Sequence, residues 1–253
     1  MTTQPFEGLD LAGQRVLVVG AAAGIGRAAA TLLAARGAHI VCADRNAAGA
    51  ADAAAELASA ESAQLDVTDE RQISEQVETL LNGGAQLHAL VNCAGITGTT
   101  GQKSHEIDLK DFEHVFDVNL RGAFLLSQAV LPHMTANAYG RILHVASIAG
   151  KDGNAGMVSY SASKAGLIGM VKAMGKEYAQ SGVTVNALAP AVIHTQMVEE
   201  MPDHQVEYML SKIPMNRVGT LDEVAEAIAW AVSPASSYTT GFVYDLSGGR
   251  AVY

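Results

Sequence analysis

The sequence is that of an α/β protein, a single domain over residues 1–253 with a parallel sheet and helices on both of its faces. Three observations predict it. Short runs rich in β-branched residues alternate with longer Ala/Leu-rich stretches of helical period, as successive βαβ units require. A glycine-rich turn joins the first of those runs directly to the first helical stretch. No internal repeat, charge block or Ser/Pro-rich linker divides the chain.

The first strand is expected at 15–19, Arg-Val-Leu-Val-Val, a short apolar run ended by the glycine turn. A helix over 25–36 starts at once. His-Ile-Val-Cys-Ala at 39–43 is the second strand, and the Ala-rich stretch 46–59 is a surface helix, because alanine is the best helix former. A third strand at 62–65 precedes a helix at 69–81. The fourth strand, 87–92, leads through a polar loop into a long helical stretch over 108–136. The fifth strand, 140–146, precedes a helix over 158–180, the sixth lies at 183–188, and a helix over 221–232 comes before the last strand at 242–245.

Of the 253 residues, 49% are hydrophobic and 17% charged, enough for one sizeable core. A formal net charge of −10 offers no footprint for nucleic acid or an anionic membrane, so a small-molecule substrate is expected. Met1 to Asp10 lacks the basic and apolar regions of an export signal, and no apolar run reaches the roughly 18 residues of a membrane span. A soluble cytoplasmic protein is the expectation. Cys42 and Cys93 lie in or beside apolar strand-like runs and read as small buried hydrophobes. With no HExxH and no CxxC, no metal site is expected.

The chemistry is concentrated in Tyr160-Ser161-Ala162-Ser163-Lys164. Residues four apart share a helix face, so the Lys164 ammonium can lie beside the Tyr160 phenol and draw a pKa of about 10 toward neutrality. Such a group serves as acid or base. Ser147 stands upstream, just past the fifth strand. After the first strand comes Gly20-Ala21-Ala22-Ala23-Gly24-Ile25-Gly26, spaced G-x-x-x-G-x-G. Glycines let the turn close and its N–H groups approach a pyrophosphate, which a helix N-terminus also favours. Asp44 ends the second strand, where a carboxylate accepts hydrogen bonds from both adenosine ribose hydroxyls and repels a 2′-phosphate. NAD is therefore the expected cofactor. Arg45 argues the other way, since a guanidinium can pair with that phosphate.

Together with Asp66-Val67 after the third strand, Asn92-Cys93-Ala94-Gly95 after the fourth, and Asn119, these residues resemble the motifs of the short-chain dehydrogenase/reductase family in order and spacing. The likeness covers essentially the whole chain. It implies a Rossmann-type, doubly wound sheet of seven strands in the order 3-2-1-4-5-6-7, with the active site at the carboxyl ends of strands four and five. It implies that Tyr160 exchanges a proton with the substrate oxygen and that Lys164 lowers the phenol pKa and bonds the nicotinamide ribose. Ser147 would hold the substrate oxygen, and Asn119 would order a water linking Lys164 to solvent. Gly20, Gly24, Ile25 and Gly26 would bind the cofactor at the first turn, with Asp66 and Val67 at the adenine and Asn92, Ala94 and Gly95 as the wall behind. Pro190, Ile193 and Thr195 complete the cofactor set, Thr195 at the carboxamide. In that strand order a third strand separates Cys42 from Cys93, a gap of roughly 9–10 Å that no disulfide spans.

The family also implies a homotetramer of closed symmetry built on helix-to-helix interfaces. The stretches 108–136 and 158–180 carry apolar residues over more than one core-facing stripe: Phe124, Leu125, Leu126, Val130 and Leu131, then Leu167, Ile168, Met170, Val171 and Met174. Two positions depart from the family pattern. Val19 stands where a threonine usually ties the first turn to Asn92–Gly95, and Ala191 follows Pro190 where glycine is usual.

Substrate specificity is expected from the loops 96–104 and 148–158 and from a lid at 191–214. They carry Thr97, Lys103, Lys151, Asn154, His194, Gln196 and Lys212 and few aromatics, which suits a small oxygen-rich substrate, although exposed loops are polar whatever they bind. The phrases 150–156 and 247–253 resemble members that oxidise sugar-derived acids. Lys151 either meets a substrate carboxylate or pairs with Asp152 or another loop acid. The expected activity is NAD-dependent interconversion of a secondary alcohol and a ketone on a small polyhydroxylated acid. A 3-oxoacyl thioester reductase is the alternative. A serine-hydrolase elbow fails, because Val145-Ala146-Ser147-Ile148-Ala149 is not G-x-S-x-G. A non-catalytic dinucleotide sensor would have lost part of the Asn119, Ser147, Tyr160, Lys164 set, and all four are present.

Overall fold

The computed structural model describes residues 9–194, 207, 209–251 and 253. Arg15–Val19 (β1), His39–Asp44 (β2), Ala60–Gln64 (β3), Ala89–Asn92 (β4), Gly140–Val145 (β5), Val183–Pro190 (β6) and Val243–Leu246 (β7) form one sheet in the order β3-β2-β1-β4-β5-β6-β7. Every pairing is parallel. β1 pairs with β2 on one side and β4 on the other, so the winding reverses there and a crevice opens beyond the carboxyl ends of β1 and β4.

Helices cover both faces: Gly24–Ala35 (α1), Ala47–Ala55 (α2), Glu70–Leu81 (α3), Leu109–Phe116 (α4), Gly122–Ala136 (α5), Ala149–Asp152 (α6), Val158–Glu177 (α7) and Leu221–Val232 (α8). Strand side chains alternate between the two layers. Leu17, Val19 and Leu90 pack with Ile73, Leu126 and Val171 from α3, α5 and α7. Val16, Val18 and Val91 pack on the other side with Leu33 of α1 and Ile228 of α8. Side chains cap several helix starts: Asn46, Asp69 and Thr220 each accept an N–H bond three residues on, and Glu223 closes a capping box with Thr220. At α1 the capping position is Ala23, which has no side-chain oxygen to offer.

The long stretch 108–136 is not one helix. α4 ends at Phe116, a π-helical turn spans Asp117–Arg121, and α5 resumes at Gly122. The stretch 46–59 is helical only over Ala47–Ala55, and 158–180 only to Glu177. Five residues on, Gly182 adopts φ +78°, and a Cβ there would lie 2.0 Å from the Ala138 carbonyl oxygen, so glycine is required for the chain to turn into β6.

The apolar surplus on α5 and α7 has a plainer cause than assembly. Leu125, Leu126, Val130, Leu131, Leu167, Ile168, Val171 and Met174 are buried within the chain itself, because both helices pack on the sheet and on neighbouring helices. Phe124 alone of the ten is an exposed large apolar side chain, 42% accessible, and Met170 is partly buried. The two cysteines are unbridged. Among the described residues no helix is long and apolar enough to cross a membrane, and no cluster of three or more metal-ligating side chains occurs.

Candidate active site

The reversal of winding at β1 and β4 gathers the cofactor candidates. Gly20, Asp44, Arg45, Asp66, Val67, Ala94 and Gly95 line a cavity of about 360 Å³ together with Thr68, Ile96 and His114. That volume lies within the range of small-ligand pockets. Gly20 adopts φ +82°, and a Cβ there would lie 2.9 Å from the Ala94 nitrogen, so the first turn rests directly on the Cys93–Ala94 peptide. Gly26 is tighter still, since a Cβ would sit 2.0 Å from the Gly20 carbonyl oxygen. Gly24, at φ +54°, opens α1, and half-buried Ile25 packs against the core beneath. Val19 supplies no hydroxyl to the neighbouring turn. Its carbonyl instead accepts from the Cys93 N–H at 2.8 Å, so backbone makes the link.

Asp44 is oriented by two backbone N–H groups, Ala22 at 3.1 Å and Asn46 at 2.9 Å, which hold its carboxylate at the rim of the cavity. Arg45 is exposed beside it. The Asp66 carboxylate lies below its usual range, chiefly because the Thr68 N–H and hydroxyl both donate to it, at 2.9 and 2.7 Å.

The proton-transfer candidates converge from β5, α7 and the π-helical turn. Ser147 follows β5, is buried, and its hydroxyl accepts from the Ala149 N–H at 3.1 Å. Tyr160 and Lys164 occupy the first turns of α7, the Lys164 Nζ 5.8 Å from the Tyr160 ring centre. The ammonium is 3% exposed and donates to the Val145 carbonyl at 2.7 Å. Burial pushes it down to about 8. The expected depression of the Tyr160 phenol is not what this arrangement produces. Burial pushes the phenol up, the Ser147 hydroxyl pulls it the other way, and the ammonium is turned to Val145.

Asn119 sits in the π-helical turn with its side chain fully engaged. Its oxygen accepts from the Ile96 N–H at 2.8 Å, and its nitrogen donates to the Ile96 carbonyl at 2.9 Å and to the Ser163 hydroxyl at 3.0 Å. Ser163 in turn donates to the Tyr160 carbonyl at 2.9 Å. Gly95 belongs to the same knot, since a Cβ there would lie 3.2 Å from both the Asn119 oxygen and the Lys164 nitrogen.

Pro190 ends β6, and its carbonyl accepts from the Ile148 N–H at 3.0 Å, next to Ser147. Among the described residues the non-glycine positive-φ positions are Ala138 and Asn216, so Ala191 needs no glycine. Ile193 is buried and bridges to Gly219. Thr195 and Gln196, like most of the lid expected at 191–214, lie outside the described residues.

Lys151 does not overhang the reacting site as a substrate-binding cation. Its Nζ pairs with the Asp245 carboxylate at 2.9 Å, donates to the Tyr253 carbonyl and lies over the Tyr253 ring, leaving its side chain 8% exposed. Asp152, the partner weighed from sequence, pairs with Arg250 at 3.1 Å. The 150–154 loop is thus tied to β7 and the C-terminal segment. A shallow cavity of about 1050 Å³ beside this loop touches none of Ser147, Tyr160 and Lys164, and its α7 lining is Val158, Ser161, Ala162 and Ala165. Thr68 and His114, which line the candidate cofactor cavity, carry no signal in the sequence that marks them. Nor does any mark Ser163, and the only signal of His144 is that of a lone histidine in the otherwise aliphatic strand core of β5.

A family model described as enoyl-(acyl carrier protein) reductase matches residues 20–250. The chain is 38% identical over 242 residues to the 2-dehydro-3-deoxy-L-rhamnonate dehydrogenase (NAD(+)) of Sphingomonas sp. (strain SKA58), covering 96% of this chain and 97% of that one. It is also 38% identical over 250 residues to a 3-oxoacyl-(acyl-carrier-protein) reductase of Thermotoga maritima, covering 96% of this chain and all of that one, 100%. The crystal structure of gox2181 superposes with a TM-score of 0.93 at 30% identity, covering 97% of this chain and 98% of the other.

Proposed function

The chain belongs to the short-chain dehydrogenase/reductase family, and from that premise we propose that it transfers a hydride between NAD and a secondary alcohol or ketone of a small polyhydroxylated acid. It is an oxidoreductase acting on CH–OH groups. What carries the reading is a cleft edged by the oriented Asp44 carboxylate and lined by Gly95, beside which the Lys164 ammonium lies buried, one helical turn from Tyr160. An acid at that rim favours ribose hydroxyls over a 2′-phosphate. The glycines beneath it leave room for a pyrophosphate at the start of α1.

When bound, the nicotinamide supplies the hydride donor or acceptor. The residues of the chain manage the proton and the geometry. Tyr160 gives its phenolic proton to the substrate oxygen in reduction and takes it back in oxidation. Ser147 holds the same oxygen by its hydroxyl. Lys164, buried beside Gly95 and 5.8 Å from the Tyr160 ring centre, supplies positive charge where the phenolate develops. Asn119 fixes Ile96 and, through Ser163, the Tyr160 backbone, keeping the two halves of the site in register.

The acid substrate is supported by the rhamnonate-derivative dehydrogenase among the relatives and by the polar loops; with Lys151 paired to Asp245, no cation of the 150–154 loop adds to that support. The several 3-oxoacyl-(acyl-carrier-protein) reductases at 36–39% identity favour the thioester alternative. The deciding assay follows NADH absorbance with a panel of 2-keto-3-deoxy sugar acids and with an acetoacetyl thioester, each with NAD(H) and NADP(H). Turnover of a sugar acid with NAD(H) is expected; thioester reduction alone, or a preference for NADP(H), would overturn the reading. A cytoplasmic homotetramer completes the proposal. The assembly is supported by an apolar groove lined by Phe116, Leu120, Phe124 and Met170 and by exposed Trp230 and Phe242, both edge-on to Tyr244.

A further inference from the structure

His144 lies within β5, fully buried, and neither proton transfer nor substrate recognition uses it. It nevertheless belongs to an unbroken line of polar groups. The Ser127 hydroxyl on α5 donates to the Ala123 carbonyl at 2.9 Å and lies 2.9 Å from His144 Nε2. On the other side, His144 Nδ1 is 3.2 Å from Asn92 Nδ2, and Asn92 Oδ1 accepts from the Ala94 N–H at 3.1 Å. The peptide held in this way is the one on which Gly20 rests.

The two ends of the line have fixed roles, because a carbonyl only accepts and a backbone N–H only donates. Working inward, the Ser127 oxygen must accept from Nε2–H, and a bare Nδ1 must accept from the Asn92 amide nitrogen. That leaves the amide oxygen for Ala94. Only the neutral Nε2–H imidazole satisfies every member. An Nδ1–H imidazole or an imidazolium would turn the Asn92 amide round and set its NH₂ against the Ala94 N–H, donor against donor. Burial, helped by the Lys164 ammonium, pushes His144 down to about 3, so it stays neutral.

We infer that Ser127 and His144 are positioning residues of the dinucleotide site: by selecting one imidazole tautomer they orient the Asn92 amide, and through it the Cys93–Ala94 peptide that supports Gly20. The inference rests on reading the cleft as a dinucleotide site, and its test separates the two. NMR of protein with nitrogen-labelled histidine reads the tautomer directly, and fluorescence titration reads NADH affinity. Wild type should carry the His144 proton on Nε2 throughout pH 5–8, since the group stays neutral there. Ser127→Ala, which removes the acceptor for that proton, should mix the tautomers and weaken NADH by about fivefold or more, the scale of one buried hydrogen bond. Ser127→Thr, which restores a hydroxyl, should recover most of the loss. An Nδ1–H imidazole in wild type, or Ser127→Ala binding NADH as tightly as wild type, would overturn the inference. If Ser127→Ala does not accumulate, the wild-type tautomer decides. Wild type that binds no NADH while holding its proton on Nε2 would instead overturn the dinucleotide reading.

Discussion

At the scale of single residues, burial shifts two groups of the site in opposite senses, the Tyr160 phenol up and the Lys164 ammonium down. Tyr160→Phe removes the transferable proton and keeps the ring, so turnover should fall by about 10²-fold or more while NADH affinity barely moves. Retention of more than a tenth of turnover would dismiss the phenol from its role. Lys164 tests the cost of the arrangement. Its pKa is lowered to about 8 from 10.5, so between those values the unfolded chain holds a proton that the folded chain has released, and stability rises with pH across that window. Below it the penalty is fully present, on the order of 3 kcal/mol. Lys164→Met should therefore melt higher than wild type at pH 7, lose the rise in stability above pH 8, and turn over about 10²-fold more slowly or worse. A lower melting temperature would show that the Val145 hydrogen bond outweighs the buried charge. The juxtaposition of Tyr160 and Lys164 was legible from a spacing of four on a helix, whereas the turning of the ammonium to the Val145 carbonyl was not. The pairing of Lys151 with Asp245 was not, because ninety-four positions separate the two and no local pattern links a loop lysine to a strand seven acid.

Among the elements, the strands were the most legible and the helix breaks the least. β1 and α8 stand where their apolar patterns put them, since burial on a sheet imposes period and length together. The π-helical turn at Asp117–Arg121 leaves no such trace: apolar residues continue through it, and its reason is Asn119 reaching Ile96 across the site. The glycine turn shows how unequal similar-looking residues are. Gly24 has positive φ but nothing within 4 Å of a would-be Cβ, so Gly24→Ala should cost about 1–2 kcal/mol and leave the fold intact. Gly26→Ala drives a methyl onto the Gly20 carbonyl and should lose NADH binding or fail to fold. Equal melting temperatures for the two variants would refute the distinction.

For the whole molecule, the sheet order expected from the family motifs is the one observed, whereas the apolar surplus of α5 and α7, which pointed to a second buried face between subunits, is buried within the chain itself. The surface left over is a groove lined by Phe116, Leu120, Phe124 and Met170. If it is an intersubunit contact, Phe124→Glu should lower the mass measured by light scattering at micromolar concentration; an unchanged oligomer would place the contact elsewhere. The reversal of winding between β1 and β4 has a further consequence. The chain builds one wing of the sheet from β1 to β3, returns to the centre, and builds the other wing, so the cleft is the seam where the two wings meet. Gly20, Asp44 and Asp66 come from the first wing; Ala94 and Gly95, at the head of the second, face them. A dinucleotide lying there acts as a stitch across the seam, present only when both wings are folded and docked. At a hundred times its dissociation constant it should add about 2.7 kcal/mol to unfolding, and protease cuts within either wing should slow in step. The enzyme would then be most durable in the cell when its coenzyme is plentiful, so that supply of the coenzyme governs its lifetime as well as its rate.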